Sequence, residues 1–315
     1  MVNFLQDKEY DIIVVGAGPA GLTSALYAGR SGRSCIVLEK FSIGGQLTLI
    51  DVIENYPGFK RISGLELAKR LEEQVREYNV HIRIEEVTKI VDKGERKIVK
   101  TVEGEYIGKA VIIATGTKPK QLNVPGEKEF YGRGVSYCAL CDGYFFKNKV
   151  VAVVGGGDSA VKEAVYLSNL AKKVYIIHRR NSFRAEKEIQ KKAFATKNIE
   201  ILWSTVVTSV NGSNSVESLS LKDIENNREY TLPVDGLFIY VGFSPSTEIF
   251  EGVKNEEGFI VVDGNMMTSI PGIFAAGDCV VQFKDRAWGQ ISVCVGDGAK
   301  AAISADEYIS KMFSE

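Results

Sequence analysis

Two cysteines separated by two residues, in Tyr137-Cys138-Ala139-Leu140-Cys141-Asp142-Gly143, are the part of this chain best equipped for chemistry. When the backbone turns between them, the sulfurs come within bonding reach and form a small ring that can open and close. Two other readings stand beside a redox pair. A zinc half-site would need further ligands, but Cys35, Cys279 and Cys294 are scattered and His81 and His178 stand alone, so no metal is expected. The pair could also be inert buried thiols, because unpaired cysteines are often core; Cys35, in an apolar run, reads that way. Disulfide exchange needs protons delivered to leaving thiolates, and Asp142 is the proton carrier beside the pair. A carboxyl of raised pKa would serve there, although an aspartate at this position also suits a turn cap. Tyr144-Phe145-Phe146 follows directly and reads as core packing or, beside a redox pair, as a grip on a protein substrate.

Two glycine turns come next. Gly16-Ala17-Gly18-Pro19-Ala20-Gly21 follows an apolar run and opens a helical one. Its first glycine allows a tight turn, its second lets a pyrophosphate approach the backbone, and its third permits close helix–strand packing. Amide donors at the helix start meet the phosphate charge. Glu39, 18 residues beyond Gly21, sits where a carboxylate can hold ribose hydroxyls. The second copy is Gly155-Gly156-Gly157-Asp158-Ser159-Ala160, with alanine at the third glycine position. Here the following strand ends in His178-Arg179-Arg180-Asn181-Ser182-Phe183-Arg184. Arginines there form charge-assisted contacts with a 2′-phosphate, which a carboxylate would repel, so this turn is expected to prefer NADP. The bland alternative is a solvated basic turn.

The elements that must position these groups alternate, as expected for parallel sheets built from βαβ units. Strands are predicted at Asp11–Val15, Cys35–Glu39, Lys109–Ala114, Val150–Val154, Lys173–His178, Gly236–Val241 and Ile273–Ala276. Helices are predicted at Pro19–Gly29, Leu65–Tyr78, Ala160–Leu170 and Gly298–Met312. Because the glycine turn occurs twice about one domain length apart, the expected fold is α/β with two Rossmann-like dinucleotide-binding domains. The second is expected to be inserted into the first, with crossings near Thr117 and Gly242. The domains are then residues 1–116 with 243–315, and 117–242 carrying the cysteine pair.

At 315 residues the chain is comfortable for two domains. A net charge of −1 gives no reason to expect nucleic-acid or anionic-membrane partners. Met1 to Tyr10 carry Asp7 and Glu9 and no long apolar stretch, so no signal peptide is expected. Five cysteines are too few and too scattered for a secreted disulfide scaffold, which favours the cytoplasm.

Taken together these residues resemble the low-molecular-weight thioredoxin reductases, nearly end to end. The resemblance is carried by Gly16–Gly21, Gly44-Gly45-Gln46-Leu47, Glu54-Asn55-Tyr56-Pro57-Gly58, Ala114-Thr115-Gly116, Cys138–Gly143, Gly155–Ala160, His178–Arg184 and Gly272–Asp278. The glycine motifs are shared by many flavoproteins. A cysteine pair just before the second fingerprint is more specific, since the glutathione-reductase-like branch places its pair early and carries a late histidine. The resemblance implies FAD on Gly16, Gly18, Pro19, Ala20, Gly21, Glu39, Lys40, Gly45, Gln46, Leu47, Asn55, the backbone near Val87, and Ala114-Thr115-Gly116. Asp278, Gln290 and Ile291 would hold its ribityl and isoalloxazine portions. NADPH would bind Gly155, Gly157, Asp158, Ser159, Ala160, His178, Arg179, Arg180 and Arg184.

In such enzymes hydride passes from NADPH to FAD and electrons pass through the disulfide to thioredoxin. By the same resemblance Cys141 faces the flavin, Cys138 attacks thioredoxin, and Asp142 matches the proposed acid. The inserted domain would swing on linkers near Thr117 and Gly242–Pro245, and the chain would be a homodimer. One segment departs from the family pattern. The loop Cys279–Gly289, with Lys284, Asp285, Arg286 and Trp288, is longer than usual, and Gly289 stands before Gln290 where a basic residue is common. The same redox chain would also serve a glutaredoxin-like or peroxiredoxin partner or a small dithiol. A flavin redox sensor without turnover is the reading from another class.

Overall fold

The computed structural model describes residues 9–50, 52–282 and 289–313. The chain forms two compact units, Met1–Lys118 with Ser244–Glu315, and Pro119–Phe243.

The first unit begins with β1 (Glu9–Val15), α1 (Pro19–Arg30), β2 (Cys35–Glu39), α2 (Gly64–Arg76) and β3 (Val80–Ile84). It continues through β4 (Val87–Lys93), β5 (Arg96–Thr101), β6 (Glu105–Ile113) and the short β7 (Thr117–Pro119). The second unit holds β8 (Val135–Ser136), α3 (Ala139–Asp142), β9 (Val150–Gly155), α4 (Asp158–Ser168), β10 (Lys173–Ile177), α5 (Lys187–Ala195) and β11 (Ile199–Leu202). There follow β12 (Thr205–Gly212), β13 (Val216–Asp223), β14 (Arg228–Pro233) and β15 (Gly236–Tyr240). The chain returns through β16 (Phe243–Pro245), β17 (Ile260–Val262), β18 (Ile273–Ala275), β19 (Val280–Gln282) and α6 (Ile291–Phe313).

In the first unit the strand order is β3-β2-β1-β6-β5-β4, with β18 also on β6. Strand β6 is shared lengthwise. Its start pairs antiparallel with β5, and Val111–Ile113 pair parallel with Ile273–Ala275. Strands buried on both faces read as continuous apolar runs, and Ile12–Val14 and Val111–Ile113 are each 0% exposed. In the second unit β11-β10-β9-β15-β8 is wholly parallel. A separate antiparallel sheet, β12-β13-β14, stands beside it.

The antiparallel pieces, β4–β5 and β12–β14, escape a reading that looks for βαβ units. They are half-exposed strands whose periodicity is interrupted, with register shifts in both β4–β5 and β12–β13. The last helix starts at Ile291 rather than at the predicted Gly298. Gly298 looks like a boundary in the sequence, but it is a contact point between helices. A Cβ there would lie 2.3 Å from the Ala20 carbonyl oxygen on α1, and Ser24 Oγ sits 3.0 Å from the Gly298 carbonyl. Part of the long loop is also ordered otherwise than expected, since Val280–Gln282 pair in parallel with β17. Lys284, Asp285, Arg286 and Trp288 lie outside the described residues.

The α1–α6 crossing supports a test. Alanine normally stabilises a helix interior by about 1 kcal/mol over glycine. Gly298→Ala should do the reverse and destabilise by roughly 1–3 kcal/mol, because the added methyl meets backbone that cannot move aside. Thermal unfolding reads the sign, and an unchanged or raised midpoint would show that the crossing has slack.

Candidate active site and nucleotide sites

Cys138 and Cys141 are joined in a disulfide, with their Cα atoms 5.3 Å apart. Cys138 is the N-cap of the one-turn helix α3, and the Cys141 amide donates to Cys138 Sγ at 3.1 Å. Negative charge on that sulfur would therefore meet an amide donor already in place. Cys138 is half-buried and Cys141 exposed. Asp142 closes the helix, and its backbone N–H donates to the Cys138 carbonyl at 3.2 Å. Its carboxylate accepts from Ser136 Oγ at 2.6 Å. Of the three aromatics that follow, Tyr144 and Phe145 are about 70% exposed (69% and 71%), while Phe146 is buried edge-on against Phe238. The run thus divides between surface and core. The remaining cysteines are buried, and burial pushes the Cys35 thiol up to about 12 and that of Cys279 to about 11. Among the described residues no three His, Cys, Asp or Glu side chains gather as metal ligands.

All the residues expected around the first glycine turn lie in the first unit. Gly16 has φ +104°, and a Cβ on it would sit 2.3 Å from the Ala114 carbonyl oxygen, so the turn is packed against the end of β6. Around Gly18, by contrast, the space is open, and α1 starts there without a side-chain cap. A phosphate could therefore reach the free amides. Glu39 ends β2 with its carboxylate at this turn, accepting from the Ala17 amide at 2.7 Å and the Phe41 amide at 2.9 Å. A Cβ on Gly45 would meet Gly18 Cα at 3.3 Å, which brings the Gly45–Leu47 turn alongside; Leu47 is buried. Gln46 Nε2 donates to the carbonyl and hydroxyl oxygens of Thr117, each at 2.9 Å. Asn55 Nδ2 donates to Gln290 Oε1 at 3.1 Å, and Ile291 packs on the cluster of Leu47, Ile53 and Ile62. Thr115 Oγ1 donates to the Ser246 carbonyl at 2.6 Å. Ala114 and Val87 are buried, Gly116 is half-buried, and Lys40 pairs with Glu86 at 2.7 Å on the surface. Burial pushes the Asp278 carboxyl up, and the Cys294 thiol donates to it at 3.2 Å.

The second turn lies in the other unit, between β9 and α4. Around Gly157 the space is again open, and α4 has no side-chain cap. Ser159 is exposed and Ala160 fully buried, in keeping with a close helix–strand contact at the third fingerprint position. A Cβ on Gly155 would meet Ala160 Cβ at 2.6 Å. Two of the residues expected to contact the ligand also bond within the protein. Asp158 Oδ1 accepts from the Glu186 amide at 2.7 Å. The His178 imidazole is buried, with Nε2 donating to the Ser182 carbonyl at 3.1 Å and the ring lying so close to Gly156 that a Cβ there would touch it at 2.2 Å. His178 thus holds the turn in place. Burial depresses its basicity, and the positive charges of Arg180, Arg184 and Arg179 depress it further. Those three arginines are exposed, and none has an acidic partner among the described residues.

Residues 10–298 match the family described as Pyridine nucleotide-disulphide oxidoreductase. The chain belongs to that family. It is 42% identical over 310 residues to a thioredoxin reductase of Bacillus subtilis, covering 98% of this chain and 97% of the relative. Its structure resembles that of Lactococcus lactis thioredoxin reductase, with a TM-score of 0.92, 41% identity, and 96% and 100% of the two chains covered. It also resembles the T. acidophilum thioredoxin reductase structure, with a TM-score of 0.89, 39% identity, and 97% and 99% covered.

In this pyridine nucleotide-disulphide oxidoreductase, two residues near the sulfurs escaped sequence reasoning. Ser136 joins Asp142 to the backbone of Cys138. Tyr240, at the end of β15, accepts from the Ala139 amide through its hydroxyl oxygen at 2.7 Å. Ser136 had a faint signal, a small hydroxyl residue two places before the pair. Tyr240 had none, being far away in sequence and brought near by the pairing of β15 with β8, the strand that leads into α3.

Proposed function

We propose that this protein is an NADPH-dependent flavoenzyme that reduces the disulfide of thioredoxin through the Cys138–Cys141 pair. The observation that carries the reading is a bonded pair on a one-turn helix just before the second glycine turn, in a chain that matches thioredoxin reductases over almost its whole length. The open Gly18 turn, with Glu39 beside it, fits an adenine dinucleotide. Gly45–Leu47, Asn55, Ala114–Gly116, Asp278, Gln290 and Ile291 would hold the rest of FAD. The open Gly157 turn and the unpaired Arg179, Arg180 and Arg184 fit NADPH. Bound FAD supplies the two-electron link between nicotinamide and disulfide.

The protein's own residues act at the other end of that chain. In the reduced pair, Cys138 Sγ attacks one sulfur of thioredoxin's disulfide, forming a mixed disulfide and releasing the other as a thiolate. Cys141 then attacks Cys138 Sγ, re-forming the internal disulfide and releasing the second thioredoxin sulfur. Two electrons have moved, and two protons complete thioredoxin's dithiol. Asp142, held beside Cys138, is the residue to deliver a proton to a leaving thiolate. Tyr144 and Phe145 offer an apolar contact for the partner. Among the described residues no helix is long and apolar enough to cross a membrane. A cytoplasmic homodimer is the proposed working form.

Purified protein should be yellow, NADPH should bleach it without oxygen, and oxidised thioredoxin should restore the colour. Recovery only on admitting oxygen would point to an oxidase, and no bleaching by either nicotinamide would favour a sensor.

A further inference from the structure

The reading of Asp142 as the acid leaves open what holds its carboxyl in place while the proton comes and goes. Ser136 is the group that touches it. The side chain is buried, 3% exposed, on the two-residue strand β8, whose register with β15 sets Ser136 opposite Phe238. Its hydroxyl oxygen lies 2.6 Å from Asp142 Oδ2 and 3.2 Å from the Cys138 carbonyl oxygen, and accepts from the Cys138 amide at 3.0 Å. A serine hydroxyl has one proton to donate and two lone pairs. Here that one proton has two acceptors within reach.

We infer that Ser136 is a positioning residue for Asp142, a hydroxyl rotor that satisfies the carboxyl in both of its protonation states. This rests on the acid reading above. With Asp142 charged, the Ser136 proton points to Oδ2 while the hydroxyl oxygen accepts from the Cys138 amide. With a proton on Oδ2, the carboxyl donates to Ser136, which now accepts twice and turns its own proton to the Cys138 carbonyl. Neither state leaves a buried donor or acceptor unpaired, and no heavy atom has to move. Proton delivery then involves one transfer, from the Asp142 carboxyl to the leaving thiolate, accompanied by rotation of the serine O–H back to the new carboxylate. The other titratable groups nearby are tied elsewhere or disfavour charge. Tyr240 accepts from the Ala139 amide, and its hydroxyl is pushed up by burial, then by Glu163 of α4 and by Asp142 itself. Tyr137 donates to the buried Glu127 at 2.6 Å.

The test is the pH profile of thioredoxin reduction by Ser136→Ala and Ser136→Thr. Alanine removes a charge-assisted bond from the charged carboxyl and only a weaker neutral bond from the protonated one, so the limb governed by Asp142 should move to higher pH. Its kcat should fall about tenfold, as for a misaligned acid, with the KM for thioredoxin within about twofold of the parent. Threonine keeps the hydroxyl and should restore both the limb and most of the rate. Adding Asp142→Asn to Ser136→Ala should cost no more than Asp142→Asn alone, since both act through one group. FAD content and thermal unfolding identify a folding defect, and the threonine variant carries the test if alanine misfolds. The inference is overturned if Ser136→Ala keeps the parent rate and limb, or if alanine and threonine are impaired alike. A fully active Asp142→Asn would remove the acid reading itself, and the rotor with it. An impaired Asp142→Asn beside an unaffected Ser136→Ala would remove the rotor alone.

Discussion

Replacing Cys141 by serine should leave a protein that accepts electrons from NADPH but cannot pass them to thioredoxin. The pair is one chemical unit, because Cys141 both forms the internal disulfide and releases the partner from Cys138. Removing one member of such a unit abolishes nearly all of its contribution, so turnover should fall by at least about a thousandfold. Reduction of the flavin by NADPH should continue, because no residue of the second glycine turn is touched. The sign that separates this from general damage is covalent. Without Cys141, Cys138 should accumulate a mixed disulfide with thioredoxin, visible on a non-reducing gel.

The mirror variant, Cys138→Ser, distinguishes the two sulfurs. Exposure alone would favour Cys141 as the attacking one, since it is the more open residue. The local hydrogen bond argues the other way, because the Cys141 amide is already aimed at Cys138 Sγ and would stabilise a thiolate there. Trapping by Cys141→Ser and not by Cys138→Ser supports the assignment. The opposite pattern would exchange the roles, and retained turnover in Cys141→Ser would reject the pair altogether.

The second large effect is on cofactor choice. Arg179→Ala with Arg180→Ala should raise the KM for NADPH by about a hundredfold or more and leave that for NADH little changed. Each charge-assisted hydrogen bond to a 2′-phosphate is worth roughly 1.5–3 kcal/mol, and about 1.4 kcal/mol is a factor of ten. The structure makes this a clean substitution. Both arginines are exposed, and no described carboxylate pairs with either, so removing them breaks no internal ion pair. Burial depresses the basicity of His178, and after it the charges of Arg180, Arg184 and Arg179 do so, which places these arginines close to the second glycine turn. Steady-state kinetics with both nicotinamides decide the matter. Equal loss with NADPH and NADH would mean that the arginines shape the turn and do not read the phosphate.

Much of this protein was legible in its residues because the chemistry is local. The cysteine pair, the two glycine turns, Glu39 and the arginine run each act over a few consecutive residues, and the apolar strands that carry them are continuous runs. Other features depended on parts of the chain that meet only after folding. Gly298 reads as a helix boundary until α6 is laid across α1, where its missing Cβ is what lets the helices touch. His178 has a second part that its place in the arginine run does not show, since its ring lies against Gly156 and its Nε2 on the Ser182 carbonyl. Asp158, likewise, bonds the Glu186 amide through one carboxylate oxygen and so ties α4 to the start of α5. Tyr240 reaches the redox helix because β15 pairs with β8, and the two acceptors of Ser136 are set by how α3 turns off β8. Spacing along the chain determined which groups could react. Packing between distant segments decided how each of them is held, because a side chain's partners inside the protein set its orientation and the hydrogen-bonding capacity it keeps.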